Sequence, residues 1–266
     1  MGSVKFWKVY ASKNLAKINF EAILLVANHL GYRIYKNQLV QIIENRIYFR
    51  DNNYFYNELK SLIDETKLRY QNLAKDRFER DMLSQGEKLI KRLKPLDTSK
   101  LLKDGRDFSY KFYLNGYLFI SKDEITLFDY SMLNDSLIWE NKIVNRNWEF
   151  TENKECKYVD FINNSIGTSN FTKSIIGYLS HDFNEEGKGY LIVLTDQVED
   201  VKEGGGTGKN LFSSLFKYTI NTFELSAEQM KFDSSFMQSW SNQRLFIISD
   251  AGAKFNWYFF KNTITG

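Results

Sequence analysis

Hydrophobic residues follow a helical period at the start of the chain and then form short strand-like runs. Residues 19–30 carry an apolar helical face, and Gly31, the residue type that most often ends a helix, comes directly after it. Three short apolar or alternating runs follow and are joined by polar pairs that favour tight turns: residues 32–35, 39–43 and 46–50. The first fifty residues therefore predict one helix followed by a three-stranded meander.

The next segment is charged and favours helices. Residues 57–96 have an intermittent apolar face, which predicts two or three helices that are interrupted at Gly86 and end before Pro95. The next residues along the chain with helical spacing are 161–181.

Between these two helical segments the pattern indicates a sheet. Residues 108–150 are rich in Tyr, Phe, Ile and Trp, with turn signals between the apolar runs, and Asn115-Gly116 is the strongest of these signals. Trp139 and Trp148 are expected in the core of this sheet rather than on a base-stacking surface.

A glycine-dense turn lies between a predicted strand and a predicted helix. Residues 189–195 form an apolar run with a β-branched centre, and residues 211–220 repeat apolar side chains every four positions. The turn between them can direct backbone N–H groups and the amino end of the helix at a polyphosphate, with Lys209 on the outer phosphates. The sequence therefore predicts a phosphate cradle. Its candidate residues are Gly204, Gly205, Gly206, Thr207, Gly208, Lys209, Asn210 and Leu211.

A second apolar strand, residues 244–250, ends in Asp250, 41 residues after Lys209. In a nucleotide hydrolase, an aspartate at the end of such a strand binds Mg²⁺ through water or orients the attacking water. Lys209 and Asp250 are therefore the candidate catalytic residues, and Asn210 and Asp250 are the candidate Mg²⁺ ligands. An aspartate that only starts a turn is the alternative for Asp250. Asn210 stands where the P-loop pattern has a Ser or Thr, and Glu203 stands where it has its first glycine.

Three stretches, residues 205–212, 245–250 and 255–266, resemble the ATPase core of superfamily-3 helicases, especially the primase-helicases of phages, plasmids and large DNA viruses. In that family a glycine-loop lysine, an acidic strand end and a Phe-Lys-x-x-x-Thr-Gly segment occur in this order. Upstream stretches resemble the region that precedes the helicase core, so the resemblance covers residues 105–266. It implies a P-loop NTPase domain with ATP and Mg²⁺ as cofactors, single- or double-stranded DNA as a partner, and a homo-oligomeric ring of the full-length protein.

Two features depart from the family pattern. Most members have two adjacent acids at the strand end, whereas this chain has Ser249-Asp250-Ala251, so hydrolysis is less supported than nucleotide binding. The family also continues beyond the Thr-Gly segment with a DNA-contacting hairpin, a polar sensor and an arginine that acts in the neighbouring subunit. The sequence ends at Gly266. We therefore expect a C-terminally truncated core that binds nucleotide weakly and hydrolyses little.

Composition limits the remaining chemistry. The 266 residues are 43% hydrophobic and 26% charged, typical of a globular protein, and a net charge of +3 is too small to indicate nucleic-acid binding by itself. Cys156 is the single cysteine, which excludes an internal disulfide, and the two histidines lie far apart without cysteine partners. No 18-residue apolar run and no signal peptide are present. We therefore expect a cytoplasmic protein that makes no contact with a membrane.

Pro95 to Gly105 is the clearest break in the pattern. We expect residues 1–97 to form a helix-meander-helix region, residues 98–165 a β-rich region, and residues 166–266 a truncated P-loop NTPase core. The expected fold class is an α+β N-terminal part followed by an incomplete α/β P-loop NTPase domain.

Two functions remain open. The chain is either the ATP-dependent DNA helicase part of a mobile-element or viral primase-helicase, or a non-catalytic DNA- or partner-binding module of a replication protein with a degenerate P-loop. Basic and aromatic side chains interleave in the predicted meander and could stack bases and neutralise phosphates, although a solvated sheet face has the same composition. They are Arg33, Tyr35, Lys36, Arg46, Tyr48 and Arg50.

Overall fold

The structure is a computed structural model of the chain. It describes residues 5–13, 15–65, 71–151, 155–165, 169–183, 192–195, 208–220, 222–229, 245–252 and 255–256. Within these ranges the protein is mixed α and β, with six α-helices and several small sheets. The chain separates into two compact units. The first is Met1–Leu101 with Asp135–Glu140, and the second is Leu102–Asn134 with Asn141–Gly266.

The helices are α1 (Phe20–His29), α2 (Asn52–Asp64), α3 (Gln71–Ile90), α4 (Lys157–Ser165), α5 (Asn170–Ser180) and α6 (Lys209–Lys217). The strands are β1 (Trp7–Tyr10), β2 (Leu15–Ile18), β3 (Tyr32–Tyr35), β4 (Gln38–Ile43), β5 (Arg46–Phe49), β6 (Phe108–Tyr113), β7 (Gly116–Ser121), β8 (Ile125–Phe128), β9 (Ile138–Trp139), β10 (Ile143–Val144), β11 (Thr222–Ser226) and β12 (Leu245–Ser249).

The predicted helix and meander are confirmed in the first unit. Strands β3, β4 and β5 are antiparallel neighbours, and β9 adds to β5 in parallel. Both meander turns consist of two residues with positive φ, Lys36-Asn37 and Glu44-Asn45. Turns of this kind match the right-handed twist of the strands they join, which is why the polar pairs mark the hairpins in the sequence.

Both ends of α1 follow from its flanking residues. The Asn19 side chain accepts a hydrogen bond from the backbone N–H of Ala22 at 3.2 Å and so caps the first turn. Gly31 ends the helix with a φ of +85°, and a β-carbon there would stand 2.2 Å from the carbonyl oxygen of Ile42. Only glycine suits this position, as the sequence predicted.

The core of the first unit lies on both faces of the meander. The larger cluster packs one face against the three helices, with Ile23, Phe55 and Leu59 fully buried. On the other face the Trp139 ring stacks on Phe49, with centroids 4.8 Å apart and an interplanar angle of 9°. Trp139 is 7% exposed, so its prediction as a core residue is confirmed, although it packs in the first unit rather than in the sheet of the second.

Helix α3 runs through Gly86 without a break, so the predicted interruption at this glycine is wrong. A β-carbon on Gly86 would stand 2.3 Å from the hydroxyl oxygen of Tyr56 on α2. The glycine therefore lets the two helices approach closely, and its backbone stays helical because packing stabilises it.

The second unit contains the predicted hairpin-rich sheet, with strand order β10-β6-β7-β8. The turn between β6 and β7 is Leu114-Asn115, one residue earlier than the Asn115-Gly116 signal, because Gly116 already pairs with Tyr113. The Asn115 side chain exchanges two hydrogen bonds with the backbone of Trp148, at 2.8 and 2.9 Å, and so fixes the chain that follows the sheet.

The rest of the second unit is built from α4, α5, α6 and the parallel pair β11–β12. A small core of Ile162, Phe212, Phe216 and Ile220 lies among them. The strand predicted at residues 245–248 is confirmed as β12, but its parallel partner is β11, which the apolar pattern did not predict. Residues 192–195 are not in a strand, and the rest of the predicted strand at 189–195 lies outside the described residues. In the described ranges, no helix is both long enough and apolar enough to cross a membrane.

Candidate nucleotide site at the start of helix α6

The candidate cradle is described from Gly208 onward, whereas Gly204, Gly205, Gly206 and Thr207 lie outside the described residues. Gly208 is the N-cap of α6 with a φ of +88°, and as a glycine it has no side chain that could cap the helix. Lys209 is the first helical residue. The first-turn N–H groups and the helix dipole together make such a helix start favourable for an anion. At Gly208 and Lys209 a glycine therefore leads directly into a helix, and phosphate binding there stays a prediction.

Gly208 also meets a close neighbour. A β-carbon at this position would stand 2.7 Å from the Cε2 and Cζ atoms of Phe161 on α4. Both the positive φ and the aromatic ring therefore require glycine at residue 208. Helix α4 in this way fixes where α6 begins.

A tyrosine on the same helix holds the first turns of α6. The Tyr158 hydroxyl donates to the backbone carbonyl of Phe212 at 2.8 Å and lies 3.4 Å from the carbonyl of Leu211. Burial raises the pKa of Tyr158 to about 12. Neither Tyr158 nor Phe161 belongs to a motif, so their support of the site could not be predicted from the sequence.

Asp250 follows the last residue of β12 and is exposed to solvent. Its φ is +57°, in the left-handed region that Asp tolerates better than most residues. The register pairs Ser226 with Ser249, so the carboxyl ends of β11 and β12 lie side by side next to Asp250. Helix α6 contacts β12, so Lys209 and Asp250 belong to elements that pack together.

The candidate Mg²⁺ ligands are oxygen donors, which is the ligand type that Mg²⁺ prefers. Asn210 is exposed on the first turn of α6, and its backbone carbonyl accepts a hydrogen bond from the Ser213 hydroxyl at 2.9 Å. Among the described residues no group of three or more His, Cys, Asp or Glu side chains could hold a metal ion. One amide and one carboxylate suit Mg²⁺ only when phosphate oxygens and water complete the shell, which is how this ion is usually bound.

A second polar cluster, which no sequence motif marks, is centred on Asp104. Its side chain is 3% exposed and accepts hydrogen bonds from the Tyr110 N–H, the Ser109 hydroxyl and the Asp182 N–H, at 2.7, 2.8 and 2.7 Å. His181 Nδ1 lies 3.7 Å from this carboxylate and accepts from the Phe183 N–H at 3.0 Å. The cluster joins β6 to the segment after α5, and we assign it a structural role.

The basic and aromatic residues of the meander do not share one surface. Cross-strand pairing puts Tyr48 opposite Gln41 on one face, whereas Arg33 and Tyr35 lie on the other. The Arg50 guanidinium lies 4.8 Å from the centre of the Tyr48 ring and 4.1 Å from that of Tyr54, and its Nε donates to the Gln41 side chain at 2.9 Å. The hydrogen bond to the buried Gln41 ties Arg50 into the unit, which favours packing over base stacking as the role of Arg50 and the two tyrosines.

No protein-family model matches the chain, and no curated protein matches it. The function therefore rests on the residues of the site.

Proposed function

We propose that the chain binds Mg-ATP at the start of α6 and is the ATP-binding part of a DNA helicase, in a cytoplasmic mobile-element or viral primase-helicase that acts in DNA replication. The observation that supports this proposal most strongly is Gly208. It begins a helix with a backbone conformation that glycine favours, it has no capping side chain, and it is followed directly by Lys209. A glycine turn leading into a helix that starts with lysine is a recurrent way to bind the phosphates of a nucleotide.

The course of the chain supports one common location for Lys209 and Asp250. Helix α6 ends at Lys217, which forms an ion pair with Glu224 on β11, and only four residues separate the helix from this strand. Helix α6 contacts β12, which runs parallel to β11. After so short a connection we expect the helix to run antiparallel to both strands, with its amino end toward their carboxyl ends. In open α/β sheets ligands bind at that edge.

In this proposal the chain's own residues have separate tasks. Backbone N–H groups at the helix start and the Lys209 ammonium bind the phosphates, while Asn210 and Asp250 hold Mg²⁺ or orient water. Bound Mg²⁺ would neutralise the charge that develops on the phosphates. The single acid at the strand end and the family's use of an arginine from a neighbouring subunit support weak binding and slow hydrolysis by a single copy of these 266 residues, with activity in a homo-oligomeric ring.

The alternative is a non-catalytic DNA- or partner-binding module that keeps a degenerate loop. Three residues favour it: Glu203, Asn210 and Ala251 stand where the family pattern has a glycine, a hydroxyl and a second acid. Each would weaken metal or phosphate binding without changing the fold.

Binding of a fluorescent ATP analogue, with and without Mg²⁺, tests the proposal. Lys209→Ala should lower the affinity by about tenfold or more because it removes a charge-assisted contact to phosphate. Lys173→Ala is the matched control, since Lys173 is an exposed lysine on α5 in the same unit, and it should leave the affinity unchanged. Equal affinities of the wild type and the Lys209 variant, or no binding at millimolar nucleotide, would favour the non-catalytic module.

Hydrolysis gives a second readout. A neighbouring subunit's arginine contributes about 10³–10⁵ in rate in related phosphoryl-transfer enzymes. We therefore expect slow steady-state turnover by the isolated chain, far below one per second. A turnover near one per second, a typical enzyme rate, would contradict this expectation.

A further inference from the structure

The hairpin formed by β1 and β2 has one face in the core and one face in solvent. Its strands are antiparallel, and Trp7 and Ala16 on the inner face are buried against the core that includes α3. Because side chains alternate along a strand, the residues between them lie on the outer face. The outer face consists of Lys8, Tyr10, Leu15 and Lys17, and we call it the hairpin face.

The register places two lysines directly opposite each other, Lys8 against Lys17. Like charges in this arrangement repel and destabilise a hairpin. Both ammonium groups lie near the ring of Tyr10, at 5.2 and 5.9 Å from its centre. A cross-strand pair of lysines is therefore kept beside an aromatic ring, which is an arrangement that an anionic ligand would stabilise.

The positive charge of the hairpin face extends to its neighbours. Lys5 precedes β1 and Lys13 lies in the turn, and both are exposed. In the described part of the chain, none of the four lysines forms an ion pair with an acid. Glu21, an acid beside these lysines, pairs with Arg92. The charge is thus available to a ligand.

An open depression of about 510 Å³ adjoins the hairpin face. Lys5, Lys8, Lys17 and one acid, Glu21, line it together with the aromatic residues Trp7 and Phe20. It therefore combines cationic groups with apolar ring surface in a shallow, solvent-open shape. A helix-capping residue, Asn19, forms part of its floor.

We propose that the hairpin face and this depression bind single-stranded DNA. Lysines along a groove neutralise backbone phosphates, and an aromatic ring among them stacks an unpaired base, which together are the usual means of binding a single strand without sequence preference. A lipid surface fits less well because Leu15 is the only large aliphatic side chain on the face. The choice of DNA over other polyanions rests on the proposed function.

Salt dependence of binding to a fluorescent 20-nucleotide oligo-dT, measured by anisotropy without nucleotide, tests the proposal. Single strands give a slope of log K against log salt of about −0.7 per neutralised phosphate, so three or four contacts predict a slope of about −2 to −3. Lys8→Gln with Lys17→Gln should reduce that slope by about 1.4. Lys103→Gln with Lys122→Gln, two exposed lysines of the second unit, is the charge-matched control and should change neither slope nor affinity.

A second variant separates stacking from charge. Tyr10→Ala should weaken binding about tenfold while leaving the salt slope unchanged, because it removes a stacking surface and no charge. Circular dichroism of each variant confirms that the fold is retained.

Three results would overturn the proposal. The first is that the Lys103 and Lys122 control variant weakens oligo-dT binding as much as the Lys8 and Lys17 variant does. The second is that polyglutamate competes as effectively as unlabelled oligo-dT. The third is that oligo-rU binds more tightly than oligo-dT. The outcome is independent of ATP binding, since Lys209→Ala should leave oligo-dT affinity unchanged. If oligo-dT binds at the hairpin face while ATP does not bind at α6, the proposed nucleotide site fails and the DNA surface stands.

Discussion

The ring of Phe161 lies so close to Gly208 that any larger residue at the start of α6 would collide with it. The nearest ring atoms are 2.7 Å from where a β-carbon would stand, and the φ of +88° is one that other residues adopt only with strain. The loop-to-helix junction is therefore fixed by two independent requirements for glycine.

Gly208→Ala should destabilise α6 by about 2 kcal/mol, from the strained φ together with the displaced ring. Hydrogen exchange at the amides of α6 measures the change in its opening free energy. Gly177→Ala is the control. A β-carbon on Gly177 meets no heavy atom within 4 Å, and the residue lies inside α5, so this variant should gain roughly 0.5–1 kcal/mol.

Combining Gly208→Ala with Phe161→Leu separates the two causes. The smaller side chain removes the collision but leaves the backbone strain, so part of the stability that α6 loses in Gly208→Ala should be recovered. If Gly208→Ala is as well tolerated as Gly177→Ala, the conformation assigned to the start of α6 is wrong.

Local patterns account for the elements that the sequence predicted well. The meander turns at Lys36-Asn37 and Glu44-Asn45 and the caps of α1 depend on neighbouring residues, so their chemistry is visible in a short window. Gly86 was misjudged because its role depends on Tyr56, thirty residues away, which a propensity argument cannot include. The packing of Trp139 on Phe49 was likewise decided by a distant part of the chain.

The residues of the candidate site also fall into two groups, those that a local pattern marks and those that depend on distant contacts. Gly208, Lys209 and Asp250 could be selected from the sequence because each stands at a motif position next to an apolar run. Tyr158 and Phe161 could not, since their contacts reach across about fifty residues and leave no periodic signal. Strand β11 was missed although Thr222–Ser226 alternates polar and apolar residues, because a run of five residues directly after a helical pattern is too short to stand out.

Tyr158→Phe should destabilise the start of α6 by about 1 kcal/mol, since it leaves the Phe212 carbonyl without its donor. The effect should depend on pH. Burial raises the pKa of Tyr158 from 10.0 to about 12, so the unfolded chain releases this proton first. The stabilisation is fully present below pH 10 and is lost as the pH rises toward 12.

Urea unfolding of the wild type and the Phe variant at several alkaline pH values isolates this residue, because other buried tyrosines titrate equally in both proteins. The stability difference should shrink between pH 10 and pH 12. A difference that stays constant over this range would show that the hydroxyl is not buried as described.

Asp104→Asn should destabilise the second unit by about 2 kcal/mol. The two carboxylate oxygens accept from different backbone donors, the Tyr110 N–H and the Asp182 N–H, each at 2.7 Å. An amide has only one oxygen, so its NH₂ group must face one of these donors. Asp107→Asn, at an exposed position in the same loop, is the control and should change stability by less than about 0.5 kcal/mol. Equal effects of the two substitutions in urea unfolding would rule out the buried network.

Hydrogen exchange along the chain should show lower protection in β12 than in the hairpin of β6 and β7. Strand β7 pairs on both sides, with β6 and β8, and Tyr113 and Leu118 are each 1% exposed. Every residue of β12 is only half-buried, and its described pairing is with β11. Opening free energy follows burial and hydrogen bonding, so amides of residues 245–248 should exchange roughly tenfold or more faster than those of residues 113–120. Protection of β12 that equals the hairpin's without nucleotide would mean that the parallel pair is held by more than the described core.

Saturating ATP should narrow this gap in exchange rate between β12 and the hairpin if α6 and β12 form the nucleotide site, because a ligand stabilises the elements that bind it. A gap unchanged by ATP, at a concentration where binding is measured, would place the nucleotide elsewhere.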